Sequence, residues 1–197
     1  MEKNLTKKEM IFEAGAKLFA ERSYDAVGIR DIANETGINS AMISYYYGGK
    51  SGLLRELFIK FNNLALSTQQ AGFNKATNMD SLCELTSKAF LTSARANRSV
   101  YIVGLRELNG NREEIRDLNE AFQEQCWDMF TEFLERIGIT NKKGEHISNM
   151  IFTTVMGTIF SDYLLGGGMY IDDEANFDIY VDIVTTILKQ GTIRLWD

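Results

Sequence analysis

Proline is missing from all 197 residues, histidine occurs once and cysteine twice. With no proline to break a helix, little period-two alternation, and plentiful Leu, Ile, Glu, Lys and Ala, the chain reads as all-α. The single histidine excludes a carboxylate-bridged di-metal centre of the kind helical bundles house. That centre needs two Glu-x-x-His units, and the residue three positions before His146 is Lys143. His146 reads as a surface residue near a helix start. Cys83 and Cys126 stand apart within apolar-periodic segments, where two buried thiols fit better than a disulfide. Gly-x-Ser-x-Gly, P-loop and dinucleotide fingerprints are also missing, so no catalytic residue, metal or cofactor is assigned and no enzyme is expected. The apolar run 145–165 has the length of a membrane span, but Ser148, Asn149, Ser161 and Asp162 interrupt it and it lacks flanking anchors. Residues 1–6 lead straight into an amphipathic helix without a signal-peptide pattern, so a cytoplasmic protein is expected.

Charge is uneven. Residues 1–60 carry nine Lys and Arg against eight Asp and Glu, whereas residues 61–197 carry twelve against nineteen. The overall net charge of −6 argues against nucleic acid only if it is spread evenly. Here a small basic surplus is confined to the N-terminal part, where Lys7, Lys8, Arg30, Lys50 and Arg55 can face phosphates.

The most informative segment runs from residue 30 to residue 50. Ile29, Ile32 and Ala33 form one apolar face of a helix that begins near Gly28, and Gly37 suits the left-handed residue that ends it. Ile38 plugs the turn and Asn39 caps a second helix. In that helix Ile43 and Tyr47 point inward, leaving Ser40, Ala41, Ser44 and Tyr45 outward. Eight residues make a rod of about 12 Å, matched to a major groove roughly 12 Å wide. Gly48 and Gly49 end it, and Lys50 opens the next helix with a cation and fresh backbone N–H groups. The layout is that of a DNA-reading helix-turn-helix. Helix–glycine–helix pieces also occur in all-α proteins that never touch DNA.

The detailed residues resemble the DNA-binding domain of the TetR family of transcriptional repressors. The matching pieces are Ile11-Phe12 with Ala14, Ala16, Leu18 and Phe19, then Tyr24, Arg30 to Ala33, Gly37 to Asn39 through Ile43, and Tyr47-Gly48 with Lys50, Leu53 and Leu54. The resemblance is close over about the first 60 residues and architectural beyond. It implies an N-terminal three-helix head at 1–50, a linking helix at about 51–68, and a C-terminal helical body within 51–197 for ligand binding and dimerisation. Carried over position by position, it assigns Asn39, Ser40, Ala41, Ser44 and Tyr45 to the base-reading helix, and Tyr46, Lys50 and Arg30 to phosphate. Ser can donate or accept, while Ala41 and the Tyr45 ring suit a thymine methyl. Tyr46 can equally be partial core. Val27-Gly28 stands where the family shows capping threonines, and Met42 replaces a common threonine.

Beyond the head, Thr6 and Glu9 form a capping box for a helix ending near Arg22. Residues 69–80 are polar and glycine-containing, and read as a connector. Ser81 and Glu84 read as the cap of a helix through Ala96, followed by a helix over 98–108. A turn at Asn109-Gly110 and a cap at Asn111 precede a long helix that stops at Gly138. The 145–165 helix is apolar on nearly every side, which means buried on every side. Gly166 to Gly168 read as a flexible connection, and a last helix runs over 176–190.

Two consecutive helices with excess apolar surface suit a four-helix bundle shared by two copies, although they can also form the chain's own core. The resemblance implies a homodimer through the last two helices, bound to a palindromic double-stranded DNA operator. It also implies a small-molecule effector held among the middle helices, for which Tyr101, Leu105, Trp127, Phe130, Phe160 and Tyr163 are candidates. Aromatic stripes of this kind also make ordinary cores. A helical adaptor that binds protein is the competing function, but it leaves Ser44, Tyr45 and Lys50 without a common purpose.

Overall fold

A computed structural model describes residues 5–108, 112–139, 142–166 and 170–196, with side chains at 142–145, 147–148 and 192–196 left aside. Among the described residues there is no strand. The helices are α1 (Lys7–Arg22), α2 (Ile29–Thr36), α3 (Ser40–Tyr47), α4 (Lys50–Lys75), α5 (Met79–Ala96), α6 (Arg98–Leu108), α7 (Arg116–Arg136, entered by a 3-10 turn at Glu113–Ile115), α8 (Lys142–Leu164) and α9 (Phe177–Trp196). They form two compact units, one of Met1–Asn62 with Ser99–Ala121, the other of Asn63–Arg98 with Phe122–Asp197.

In the first unit α1, α2 and α3 pack on one another. Thr6 and Glu9 make the expected reciprocal cap, with the Thr6 N–H donating to the Glu9 carboxylate at 2.8 Å. The core joins Ile11, Phe19, Ile32 and Ile43 to Leu53, Leu54, Leu57, Phe58 and Phe61 of α4, all shut off from solvent. Gly104 of α6 is what lets Phe61 come so close, since a Cβ there would overlap the Phe61 ring. Arg106 donates to the Phe19 and Ala20 carbonyls at 2.9 and 2.8 Å, satisfying acceptors near the end of α1.

In the second unit α5 packs on both α8 and α9. Residues 69–75, expected to be connector, are instead the last turns of α4. Gln69, Gly72 and Phe73 are buried on the inner face, while Gln70 and Asn74 bond to each other one turn apart at 3.0 Å on the outer one. The polar composition belongs to one side of a helix. The cap of α5 also shifts. Asn78, not Ser81, is the N-cap and accepts from the Ser81 N–H at 2.9 Å. Ser81 reaches back to the backbone N–H groups of Thr77 and Asn78. Helix α9 extends to Trp196, past the expected stop at residue 190. The Asn109-Gly110 turn, the Asn111 cap and Gly167-Gly168 lie outside the described residues.

Helix α8 is not enclosed by this chain on every side. Met150 is exposed, as are Thr153, Thr154, Gly157 and Ser161, and on α9 so are Ile179, Ile183 and Ile187. No helix among the described residues is long and apolar enough to cross a membrane.

Candidate nucleic-acid interface

Helix α3 is built from its inner face outward. Ile43 is fully buried, and buried Tyr47 donates its hydroxyl hydrogen to the Lys8 carbonyl at 2.7 Å. Burial pushes the Tyr47 phenol up to about 12, with Glu56, Glu9 and Glu13 adding to it. The helix begins because the Asn39 side chain accepts the Ala41 N–H at 2.9 Å, and it ends at Gly48, whose φ of 71° is left-handed. The turn before it is fixed by Gly37 at φ 68° and by Thr36, whose hydroxyl accepts the Ile38 N–H at 3.2 Å and donates to the Ile32 carbonyl at 2.9 Å. Val27 is buried, and the Gly28 N–H, which the usual threonine does not cap here, donates to Asp31 at 2.7 Å. That bond holds the Asp31 carboxyl below its ordinary range.

With the inner face committed, Ala41, Ser44 and Tyr45 are exposed, and Ser40, Met42 and Tyr46 are half-buried. Tyr45 leaves 78% of its surface in solvent and meets Tyr46 edge-on at 5.1 Å. Asn39 and Arg30 are exposed as well. The surface therefore offers two hydroxymethyls, a methyl and an aromatic ring along one rod, with a guanidinium on the neighbouring helix. These are groups that can meet base edges and phosphates.

Lys50 has a second occupation that sequence reasoning did not foresee. Its ammonium donates to the Tyr24 and Val27 carbonyls, each at 3.0 Å, and lies 4.0 Å from the Tyr24 ring centre. Two of its three donors are thus held inside the head, leaving one for a phosphate. Arg112 also stands over the Tyr24 ring, at 4.6 Å, and pairs with Asp25 and Glu107. No motif in the sequence signals Arg112, because the contact spans 87 residues. Arg55 is drawn away from any phosphate role by a two-pronged bond to Asp117 at 2.7 and 2.8 Å.

Residues 11–57 match the family model of bacterial regulatory proteins, tetR family. A curated relative, the probable HTH-type transcriptional regulator YttP of Bacillus subtilis (strain 168), is 30% identical over 81 residues, which are 40% of this chain and 39% of that protein. The match thus spans well under half of that relative's length. The fatty acid degradation regulator FadR from Bacillus halodurans has the same fold over 96% of this chain and 98% of its own, with a TM-score of 0.74 at 19% identity. The transcriptional regulator FadR from Bacillus subtilis, solved in complex with stearoyl-CoA, aligns over 94% of this chain and 99% of its own, with a TM-score of 0.71 at 18% identity. Residues 11–57 thus match the TetR family, and the chain shares the fold of these two regulators.

The six residues singled out for an effector fall in different surroundings. In the first unit Tyr101 is fully buried, edge-on to Phe61 at 5.5 Å, and Leu105 is buried too. In the second unit Phe130 is buried, Phe160 half-buried and Trp127 about half exposed. Tyr163 is buried and donates to Asp172 at 3.2 Å, while Arg98 lies over its ring and pairs with Asp172 at 2.6 Å. Phe130 belongs to a chain of rings contributed by four helices: Phe133 to Phe73 at 5.0 Å, Phe73 to Phe130 at 4.9 Å, Phe130 to Phe152 at 6.2 Å and Phe152 to Phe90 at 5.9 Å. A surface cleft of about 460 Å³ in the same unit is lined by Thr77, Asn78, Met79, Asp80, Ile137 and Ile139, and by none of the six. Gln69, which sequence reasoning assigned to a connector, is instead fully buried.

Proposed function

We propose that this chain is a ligand-responsive transcriptional repressor that binds a palindromic operator as a homodimer. The observation that carries the reading is the outward face of α3, where Ser40, Ala41, Ser44 and Tyr45 are held toward solvent by a helix whose other face is locked through Ile43 and Tyr47. A monomer laying one short helix on DNA gains few contacts, and the basic surplus of the head is small. Two copies double the contacts and read two half-sites roughly 34–36 Å apart.

The second copy is proposed to sit on α8 and α9. Ile179, Ile183 and Ile187 recur every fourth residue, so they share one face, and they are 58%, 49% and 62% exposed. An exposed isoleucine stripe is the kind of apolar surface that marks a contact between proteins. Gly157 of α8, whose Cβ position meets open space, leaves room for a close-lying partner helix.

We assign residues 1–50 to operator reading and 51–197 to dimerisation and effector binding, with α4 as the link. The effector is taken to bind in the second unit and to shift the population toward a form that DNA holds less well. A gel shift with the DNA upstream of its own gene, run beside a mass measurement in solution, tests the reading. A repressor shifts that DNA as a dimer. A protein-binding adaptor leaves it unshifted.

A further inference from the structure

Among the described residues, the buried polar side chains of the second unit find hydrogen-bond partners with one exception. Buried Thr86 and Ser87 donate to the carbonyls of Leu82 and Cys83 one turn earlier. Buried Asp162 accepts the Tyr170 and Ile171 N–H groups at 2.9 and 3.2 Å. Gln69 is fully buried on α4, and its Nε2 donates to the Cys126 carbonyl of α7 at 3.3 Å, yet its Oε1 finds no donor among the described residues. The amide cannot simply be turned over, because that would set its oxygen against the Cys126 carbonyl. A buried acceptor left in this state opposes folding, and such a group calls for an explanation.

Its surroundings supply one. One turn beyond Gln69 on α4 is Phe73, and one turn beyond Cys126 on α7 is Phe130; these two rings lie at the centre of the five-ring chain. Beside Phe73, a niche of only about 20 Å³, roughly the room of one water, is lined by Gln70, Asn74, Met129, Glu132, Phe133 and Arg136 and not by Gln69, so a larger guest must displace the rings.

We infer that Gln69 is the polar anchor of the effector site, and that the effector is a largely apolar molecule whose hydroxyl or N–H donates to Oε1 while its hydrocarbon displaces the rings. This rests on the proposal that the chain responds to a small molecule, and it narrows the chemistry. An ester, ether or hydrocarbon of the same shape lacks the donor and leaves the oxygen orphaned.

The test uses the full chain, wild type and Gln69→Leu, titrated calorimetrically with 1-decanol and with decyl methyl ether. The wild type is expected to hold the alcohol at least ten-fold more tightly than the ether, and the variant to hold both alike, since a site built to pair a hydroxyl rejects the analogue without one. Equal affinity in the wild type, a preference that survives in the variant, or binding of neither compound overturns the inference. So does a clear fall in the melting temperature of Gln69→Leu, which would make the amide part of the fold through an ordered water. A gel shift of the upstream DNA run in parallel reads the repressor proposal separately, because its failure leaves the alcohol preference untouched.

Discussion

The Tyr47 hydroxyl donates to the Lys8 carbonyl at 2.7 Å, tying the last residue of α3 to the first turns of α1 across 39 positions of sequence. The direction in which the outer face of α3 looks depends on that tie and on Ile43. Replacing Tyr47 by Phe keeps the ring in the core and removes one hydrogen bond, at a cost of about 1 kcal/mol in urea unfolding at neutral pH.

The same phenol sets an alkaline limit. Its folded value of about 12 lies above the ordinary 10, because burial disfavours the phenolate. The fold therefore prefers the protonated form. That contribution is complete below pH 10 and is lost as pH rises from 10 through about 12. Urea unfolding followed between pH 9 and 12 should show the wild type losing stability faster than Tyr47→Phe. Parallel losses would contradict the assignment.

Tyr45 and Lys50 should fail in different ways. Tyr45→Ala removes an exposed ring, so the protein keeps its melting temperature and changes which operator bases it favours. Lys50→Ala removes the cation proposed to meet a phosphate and also two hydrogen bonds to Tyr24 and Val27. It should weaken binding alike on all sequences, lower the salt slope by about one, and lower the melting temperature as well. A full salt slope in Lys50→Ala would leave that lysine a purely internal role.

Why the head was legible in the sequence and other parts were not has a physical basis. Ile29, Ile32, Gly37, Asn39, Ile43 and Tyr47 act through contacts within a few residues or through fixed backbone needs, and such signals survive in a linear reading. The capping box of Thr6 and Glu9 is of the same kind. Residues 69–75 mislead because their polar composition suggests a loop, whereas Gln70 and Asn74 face outward from a helix whose inner face buries Gln69 and Phe73. The tasks of Arg112, Arg55 and Lys50 inside the first unit depend on partners 23 to 87 residues away, beside the nearer Glu107 of Arg112, and no local pattern encodes them.

The exposed stripe on α9 gives a further prediction. Ile183→Glu places a charge in the middle of Ile179, Ile183 and Ile187 without entering the core of the chain. The variant should remain folded, run as a monomer by light scattering, and lose operator binding, since one head alone makes too few contacts. A variant that stays dimeric would move the interface off α9.

Gly104 permits the Phe61 ring to lie against α6. Gly104→Ala gains helix propensity but drives a methyl into a buried ring, and overpacking of this kind costs about 1–3 kcal/mol. Denaturant unfolding should show a net loss. A gain would mean that the ring moves aside freely.

Selection of binding sites from random duplex DNA bears on the outer face of α3 without knowledge of the target gene. Wild-type protein should enrich an inverted repeat with half-sites about one helical turn apart, and Tyr45→Ala should enrich a repeat that differs within each half-site. Enrichment of no sequence, or of the same repeat by both proteins, would contradict a base-reading role for that face.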